Sequence, residues 1–474
     1  MTRSVLADAE AGHLLADGLQ AIRRQFSVPE EFPPQVVAAA EEAAQRAIAD
    51  GRADRRDIEL VTLDPAGSTD LDQAFALHVE GDDVVLHYAI ADVAFFVDRG
   101  SAIEAEAWKR GSTIYAPDRR ASQYPEVLSQ GAASLLPDQD RPSVLLTVAV
   151  AADGRATLRS AERAVVRSRA KLAYETAAGA DLPPLLAELA RRIEAAEDAR
   201  GASRIEFPEQ EIVADPSAPG GLVLRTRDRH PSEDENSALS LAANLAVADK
   251  MLVAKVGLFR VMAEPDDRDI VTLHHIAHAL GVSWPSGATL RQLDGRLDPK
   301  NAKHAAFLMA ARRAGGGATY ASYQDGITPW HAAVAATYAH ATAPLRRLAD
   351  RYVLDLVVQL AAGAAPSADE VATFGRLPEV MERADTMGSR VEHAAIDLVE
   401  SVELDGRVGE VFDATVTDNP GSGAMVQLAD PPVRARVHLD HVQPGQHVLL
   451  RLVQADPAQR LVRFEPAQPT TLRT

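Results

Sequence analysis

Apolar positions recur at helical spacing near the start of the chain. Leu6, Leu14, Leu15, Leu19 and Ile22 share one helical face, and a second Ala/Glu-rich helix begins at Gln35 after Pro29, Pro33 and Pro34. From Asp57 the period changes. Residues 58–63, 74–77 and 84–90 are short runs rich in β-branched and aromatic residues, parted by Pro/Gly and Gly/Asp turns, and they predict strands. Helix and strand then alternate to about residue 400, with helices over 101–110, 183–200, 239–255, 352–360 and 376–403 and a strand over 144–150. Beyond this, 409–416, 424–428, 434–439, 447–453 and 460–464 read as five short strands punctuated by Gly, Pro and Asp, the signature of a small OB-type barrel. The pattern predicts an α+β chain in three parts: a helical segment over 1–50, a domain of mixed sheet and helices over 51–402, and a five-stranded barrel over 403–474.

Composition narrows the classes. A chain of 474 residues has material for two or three domains with ample core. No apolar run approaches the roughly 18 residues of a membrane helix; 143–152 is about the longest, and the start lacks a leader-like apolar block. With no cysteine, disulfides and thiolate-held zinc are excluded. These features lead to the expectation of a cytoplasmic protein without a membrane partner. The net charge of −19 argues at face value against nucleic acid. Only six of the 49 basic residues are lysine. The arginine fork suits phosphate, but an Ala-rich, GC-biased composition explains the excess equally well.

Two segments carry candidate chemistry. In Asp64-Pro-Ala-Gly-Ser-Thr-Asp70-Leu-Asp72-Gln73, Asp64 ends an apolar strand and a Pro/Gly turn follows. Extended backbone then puts Asp70 and Asp72 on one face and Leu71 on the other. Three carboxylates around one turn suit a hard cation such as Mg²⁺ or Mn²⁺; a solvated acidic turn or a set of helix caps reads the same residues without a ligand. In Tyr338-Ala-His340-Ala-Thr342-Ala-Pro344-Leu-Arg346-Arg347, Pro344 predicts a helix start with Arg346 and Arg347 in its first turn, as a phosphate clamp or as an unfavourable surface pair. His274, His275 and His278, and likewise His438 and His441, lack the Glu and the spacing of a zinc-hydrolase helix and read as surface or half-buried histidines. Gly315–Gly317 has no Lys-Ser/Thr after it and reads as a loop.

Together the segments resemble the RNase II/RNase R exoribonucleases, the RNB family. Phe32-Pro-Pro, Arg55-Arg-Asp-Ile58, Val61-Thr-Leu-Asp64 and Thr69-Asp-Leu-Asp72 resemble its catalytic opening. Ala89-Ile-Ala-Asp92-Val93, Ser112-Thr-Ile-Tyr115, Ser134-Leu-Leu-Pro137, Ala243-Asn244 and the Tyr338–Arg347 motif follow in the family's order. Val408-Gly-Glu-Val411 through Phe464 is similar to the S1-type OB domain that ends many such chains.

The resemblance implies processive, metal-dependent hydrolysis of single-stranded RNA from its 3′ end to nucleoside 5′-monophosphates, by a monomer. Asp64, Asp70, Asp72 and the residue at Gln73 would hold Mg²⁺ or Mn²⁺, and Asp72, Asp70 and Arg346 would carry the catalysis. Tyr115 would stack on a 3′-terminal base, while His340, Thr342 and Arg347 would line the RNA channel.

The chain departs from the family in three ways. Gln73 stands where the family has Asp, which opens a second reading: an RNA-binding protein that has lost turnover. Helices over 4–50 stand where such chains usually carry cold-shock domains. The terminal barrel keeps Val411-Phe412 but has Ala424-Met425-Val426 where stacking rings are common. With RNA as substrate, the charge of −19 becomes a claim about distribution. Arginines grouped at Arg167/Arg169/Lys171, Arg225/Arg227/Arg229, Arg312/Arg313 and Arg346/Arg347/Arg351 would line a basic channel within an acidic outer surface.

Overall fold

The fold is that of a computed structural model, which describes residues 2–48, 51–202, 210–215, 221–227, 229–294, 296–298, 301–314, 316–419, 423–439 and 441–467. Gly315 of the triple-glycine loop lies outside the described residues.

The centre is a six-stranded mixed sheet in the order Ala53–Asp54, Ala156–Ala173, Leu60–Asp64, Gln73–Glu80, Asp83–Ala91, Asp140–Val150. The strand Ala156–Ala173 also pairs with Asp140–Val150, so the sheet closes on itself. This 18-residue strand escaped the sequence pattern. Its less buried side carries arginines instead of a clean apolar alternation, and three of them pair with acids from other elements. Arg159 meets Glu80 and Asp83, Arg163 meets Asp92 and Asp355, and Arg167 meets Asp140.

Helices cover the sheet. Pro231–Ala254 starts on a proline, and the Glu233 carboxylate accepts the His230 N–H at 3.1 Å. It is also apolar and long enough to cross a membrane by composition, yet it lies in the core: Leu239, Ala242, Ala243, Ala246, Val247 and Met251 are all buried there. Leu348–Ala361 packs beside it and in turn against the 36-residue Ala368–Glu403. The latter starts eight residues before the sequence expectation because Ser367 caps it, its hydroxyl accepting the Glu370 N–H at 3.3 Å.

The barrel strands run in the order Arg434–Val437, Ala424–Leu428, Val411–Asp418, His447–Asp456, Leu461–Pro466 and nearly close, as the five-strand pattern predicts. Phe412 points inward, edge-on to Phe464 at 5.9 Å, and so offers no ring to a base. Leu15, Leu19 and Ile22 of the first helix, Leu398 and Val402 of the long helix, and Val416, Val426 and Leu450 of the barrel form one continuous core. Gly18 lies at this crossing; a Cβ there would sit 2.6 Å from Leu398 Cδ2.

Candidate active site

Asp64 ends the strand Leu60–Asp64, which is held between Gln73–Glu80 and the parallel partner Ala156–Ala173. The turn after it is tied down by Lys171, whose ammonium donates to the Ala66 and Ser68 carbonyls at 2.6 Å each. Leu71 is fully buried, which turns its two neighbours to the opposite side as alternation requires. Ser134 locks this segment: its hydroxyl accepts the Leu71 N–H at 2.9 Å and donates to the Thr69 carbonyl at 2.8 Å.

Asp64, Asp70, Asp72, Gln73, Tyr115, His340, Thr342, Arg346 and Arg347 all line one open cavity of about 630 Å³. Nine positions spread over 284 residues of sequence thus meet at one place. Burial, and next the charge of Asp70, push the Asp64 carboxyl up to about 6. Burial pushes Asp72 up to about 8 against the opposing pull of Arg346 and of the Leu345 N–H, which donates to Asp72 Oδ1 at 2.7 Å. Arg346 Nε stands 3.6 Å from Asp72 Oδ2, and 43% of its side chain remains exposed. Asp70 is held differently, in an ion pair with Arg120 at 2.8 Å.

The second segment differs from its sequence expectation. The helix begins at Leu348, not Pro344, so Arg346 and Arg347 precede it. Two buried carboxylates accept backbone N–H groups of this turn, Asp72 from Leu345 at 2.7 Å and Asp350 from Ala343 at 2.8 Å. Arg347 then runs extended and bridges to Ser112, so the helix starts only after it. The Thr113 N–H also donates to the Arg346 carbonyl at 2.9 Å. Arg347 lines the cavity, but its fork is closed on fully buried Asp350, with Nε–Oδ1 at 3.0 Å and Nη2–Oδ2 at 2.7 Å. Arg346 is the guanidinium of this pair left open to a phosphate.

Gln73 is similarly committed. Its amide oxygen accepts from the Tyr88 hydroxyl in a very short bond and from Ser240 Oγ at 3.2 Å. That oxygen therefore faces hydroxyl donors instead of offering a lone pair to a cation. His340 is held well below its usual pKa by burial and by the charges of Arg347 and Arg260, and its Nδ1 pairs with the Tyr320 hydroxyl at 2.8 Å.

Asn244 entered the sequence analysis only within the Ala243-Asn244 motif and without a role, and Asp350 and Arg120 had no place there. Asn244 accepts the Ala341 N–H at 2.9 Å and donates to the Tyr338 hydroxyl at 3.2 Å, bracing the His340–Thr342 stretch. Its sequence signal was a polar residue on an otherwise apolar helix face. Asp350 and Arg120 gave no such signal.

The expected basic channel is corrected. Arg167 pairs with Asp140, Arg225 with Asp215, Arg227 with Glu233, Arg229 with Asp234 and Arg313 with Asp418. Only Arg346 and Arg347 of the grouped cations line the cavity, where Arg120 joins them opposite Asp64, Asp70 and Asp72. With carboxylates in excess overall, these arginines find partners nearby, and the cavity itself is lined by three aspartates and three arginines. The histidines read as surface groups lie as expected, with His274, His275, His278, His438 and His441 all exposed.

Residues 52–363 match the RNB domain family and residues 410–467 the RNase II-type exonuclease C-terminal S1 domain. Ribonuclease R of Aquifex aeolicus is 26% identical over 479 residues, covering 94% of this chain and 65% of that protein. Ribonuclease R of Escherichia coli is 27% identical over 455 residues, covering 87% and 54%. The chain thus spans less than two thirds of these curated relatives. Mycoplasma genitalium RNase R in complex with ribose-methylated single-stranded RNA superimposes with a TM-score of 0.82 at 20% identity, covering 94% of this chain and 77% of that one. The same protein in complex with double-stranded RNA gives 0.81 at 21% identity, covering 94% and 82%. The fold is that of RNase R, and with its RNB domain spanning most of the sequence the chain belongs to the RNB family.

Proposed function

We propose that this protein is a metal-dependent exoribonuclease that hydrolyses single-stranded RNA processively from the 3′ end to nucleoside 5′-monophosphates. We place the chemistry in residues 51–402 and RNA capture by the barrel in 403–474, in a cytoplasmic monomer. One observation carries the reading: Asp64, Asp70, Asp72 and Arg346 face a single cavity with Tyr115, 52% exposed, in its wall.

The donor set fits a hard divalent cation. Among the described residues the Asp64 carboxylate has no direct hydrogen-bond or ion-pair partner, and only the more distant charges of Lys171 and Arg346 favour its ionised form. No three acidic or histidine side chains among the described residues converge closely enough to hold an ion by themselves, so water and substrate phosphate would complete the shell, as Mg²⁺ and Mn²⁺ permit. Asp64, Asp70 and Asp72 would hold the ion, which when bound supplies positive charge for the scissile phosphate and an acidified water. Gln73, with its oxygen committed, contributes no charge to the set.

The chain's own groups do the rest. Arg346 reaches from Asp72 into the open cavity and donates to phosphate oxygens where negative charge grows during attack. Tyr115 offers a ring on which any base stacks, a sequence-tolerant contact worth roughly 1–3 kcal/mol. His340, kept neutral, serves as a hydrogen-bonding wall and not as a second cation. Leu345 and Ala343, held by Asp72 and Asp350, fix the backbone that aims Arg346.

The neutral Gln73 supports one alternative, an RNA-binding protein without turnover. Incubation of the protein with 5′-labelled RNA and matched DNA, with Mg²⁺ or Mn²⁺ and with chelator, separates the two. Metal-dependent mononucleotide release from RNA alone is expected. Tight binding without cleavage would establish the alternative.

A further inference from the structure

The hairpin formed by Ile114–Tyr115 and Arg120–Ala121 places Tyr115 directly opposite Arg120 in register. Both side chains line the catalytic cavity. The adjacent arginine goes elsewhere: Arg119 is 57% exposed and turns to Glu30 at 3.0 Å and Asp118 at 3.8 Å. Alternation along the strand separates the two, sending one guanidinium outward and the other into the site.

Inside, Arg120 is parked. One arm of its fork donates to Asp70 Oδ1 at 2.8 Å, and the other to Thr69 Oγ1 at 2.9 Å. Thr69 in turn donates to Gln130 Oε1 at 2.8 Å. The pair is accessible from the cavity, with side-chain exposures of 25% for Arg120 and 15% for Asp70. Arg347 is the opposite case: Asp350, fully buried, closes its fork. Arg120 and Arg346 are therefore the two guanidiniums of the cavity that an incoming phosphate can engage. A guanidinium grips phosphate as readily as carboxylate, through two parallel N–H···O bonds.

We infer that Arg120 is an RNA-contacting residue of this site, transferring its fork from Asp70 and Thr69 to the phosphate of the nucleotide whose base lies on Tyr115. The hairpin register makes one nucleotide the common ligand of both side chains: base on the ring, phosphate on the cation. The contact is to backbone phosphate and carries no sequence preference. Arg120 also screens Asp70 from an approaching polyanion until phosphate arrives. This inference rests on RNA being the substrate.

The test measures RNA affinity by fluorescence anisotropy with a labelled oligoribonucleotide in chelator, so that cleavage does not intervene, across a series of salt concentrations. Arg120→Met should weaken binding roughly tenfold, the effect of losing a charge-assisted contact, and reduce the salt slope by about 0.7, one phosphate contact on a single strand. Arg120→Lys should keep the slope while weakening binding roughly threefold, because a point charge replaces a fork. Arg119→Met should stay within about twofold of wild type, since that side chain faces away. Thermal melting checks that each variant is folded, and Arg120→Lys carries the test if Arg120→Met is not. If wild type binds RNA and both Arg120 variants bind equally well, Arg120 merely buttresses Asp70 and the inference fails. Equal losses in Arg119→Met and Arg120→Met would also overturn it, reducing the effect to general charge. If wild type itself does not bind RNA, the exoribonuclease reading fails first and takes this one with it.

Discussion

Two of the carboxylic acids that burial raises make an instructive pair: Asp72 in the candidate active site and Glu400 at the junction between the long helix and the barrel. Both side chains are almost fully covered, with residue exposures of 4% and 3%. Burial is the leading cause in each, raising Asp72 to about 8 and Glu400 to about 7. Their surroundings differ. One oxygen of Glu400 accepts from Gln210 Nε2 at 3.0 Å and from the Arg434 N–H at 3.1 Å, linking a two-stranded ribbon and a barrel strand to the helix. Asp72 has one oxygen on a backbone N–H and turns the other toward Arg346 and an open cavity shared with Asp64 and Asp70. A perturbed carboxyl is therefore not a site by itself. The open side, with other charges converging on it, makes the difference.

The sharpest way to break the comparison is to neutralise both acids. Asp72→Asn should abolish turnover, a loss of at least about a thousandfold on removing a group from the reacting centre, while RNA binding persists. Glu400→Gln should leave kcat unchanged. Loss of RNA binding together with turnover in Asp72→Asn would make Asp72 structural and collapse the distinction.

The paired arginines give the next largest contrast. Arg346→Met should cost about two to three orders of magnitude in kcat, as for a lost transition-state donor, with little change in Tm. Arg347→Met leaves Asp350 buried without its partner and should destabilise the fold by about 3–5 kcal/mol, read by denaturant unfolding. Equal effects of the two on stability would show that Arg346 is as structural as its neighbour.

Stability against pH separates the junction more finely. A carboxyl whose folded pKa exceeds its unfolded value favours folding fully below the unfolded value of about 4.5. That contribution is lost as pH rises through about 7. Glu400→Gln keeps the acceptor oxygen and removes the titration, so at pH 8 the variant should be more stable than wild type by about 3 kcal/mol. Below pH 4.5 the two should coincide. An unchanged pH profile would refute the assignment. The smallest expected effect is a rise of a few degrees in wild-type Tm on adding Mg²⁺ or Mn²⁺, through binding to the folded state alone. It should vanish in Asp64→Asn and persist in Glu400→Gln.

Much of this architecture is legible along the chain. The change of period at Asp57, the five turn-bounded runs after Gly409, and the Asp64–Asp72 segment are local signals, and the elements form where they occur. The strand Ala156–Ala173 was illegible because Arg159, Arg163 and Arg167 sit on its less buried side, stabilised by acids from distant strands and helices. The helix expected at Pro344 starts only at Leu348 because Arg347 bridges to Ser112, with the Thr113 N–H on the Arg346 carbonyl and the Leu348 N–H on the Gly111 carbonyl. Pro and Thr spacing cannot report on those contacts.

The sequence by itself determined the ingredients: the acidic turn with Leu71 facing inward, the arginine pair, the tyrosine and the barrel. Period, turn chemistry and motif order act over a few residues, and those scales are written directly in the chain. Only the tertiary structure decided which charges are free. Arg346 is open while Arg347 is closed on Asp350, Gln73 is spent on Tyr88 and Ser240, and Arg120 is aimed inward beside Tyr115. Whether a charged side chain is a ligand or a brace depends on the partner that reaches it first, and in a fold those partners come from remote parts of the sequence.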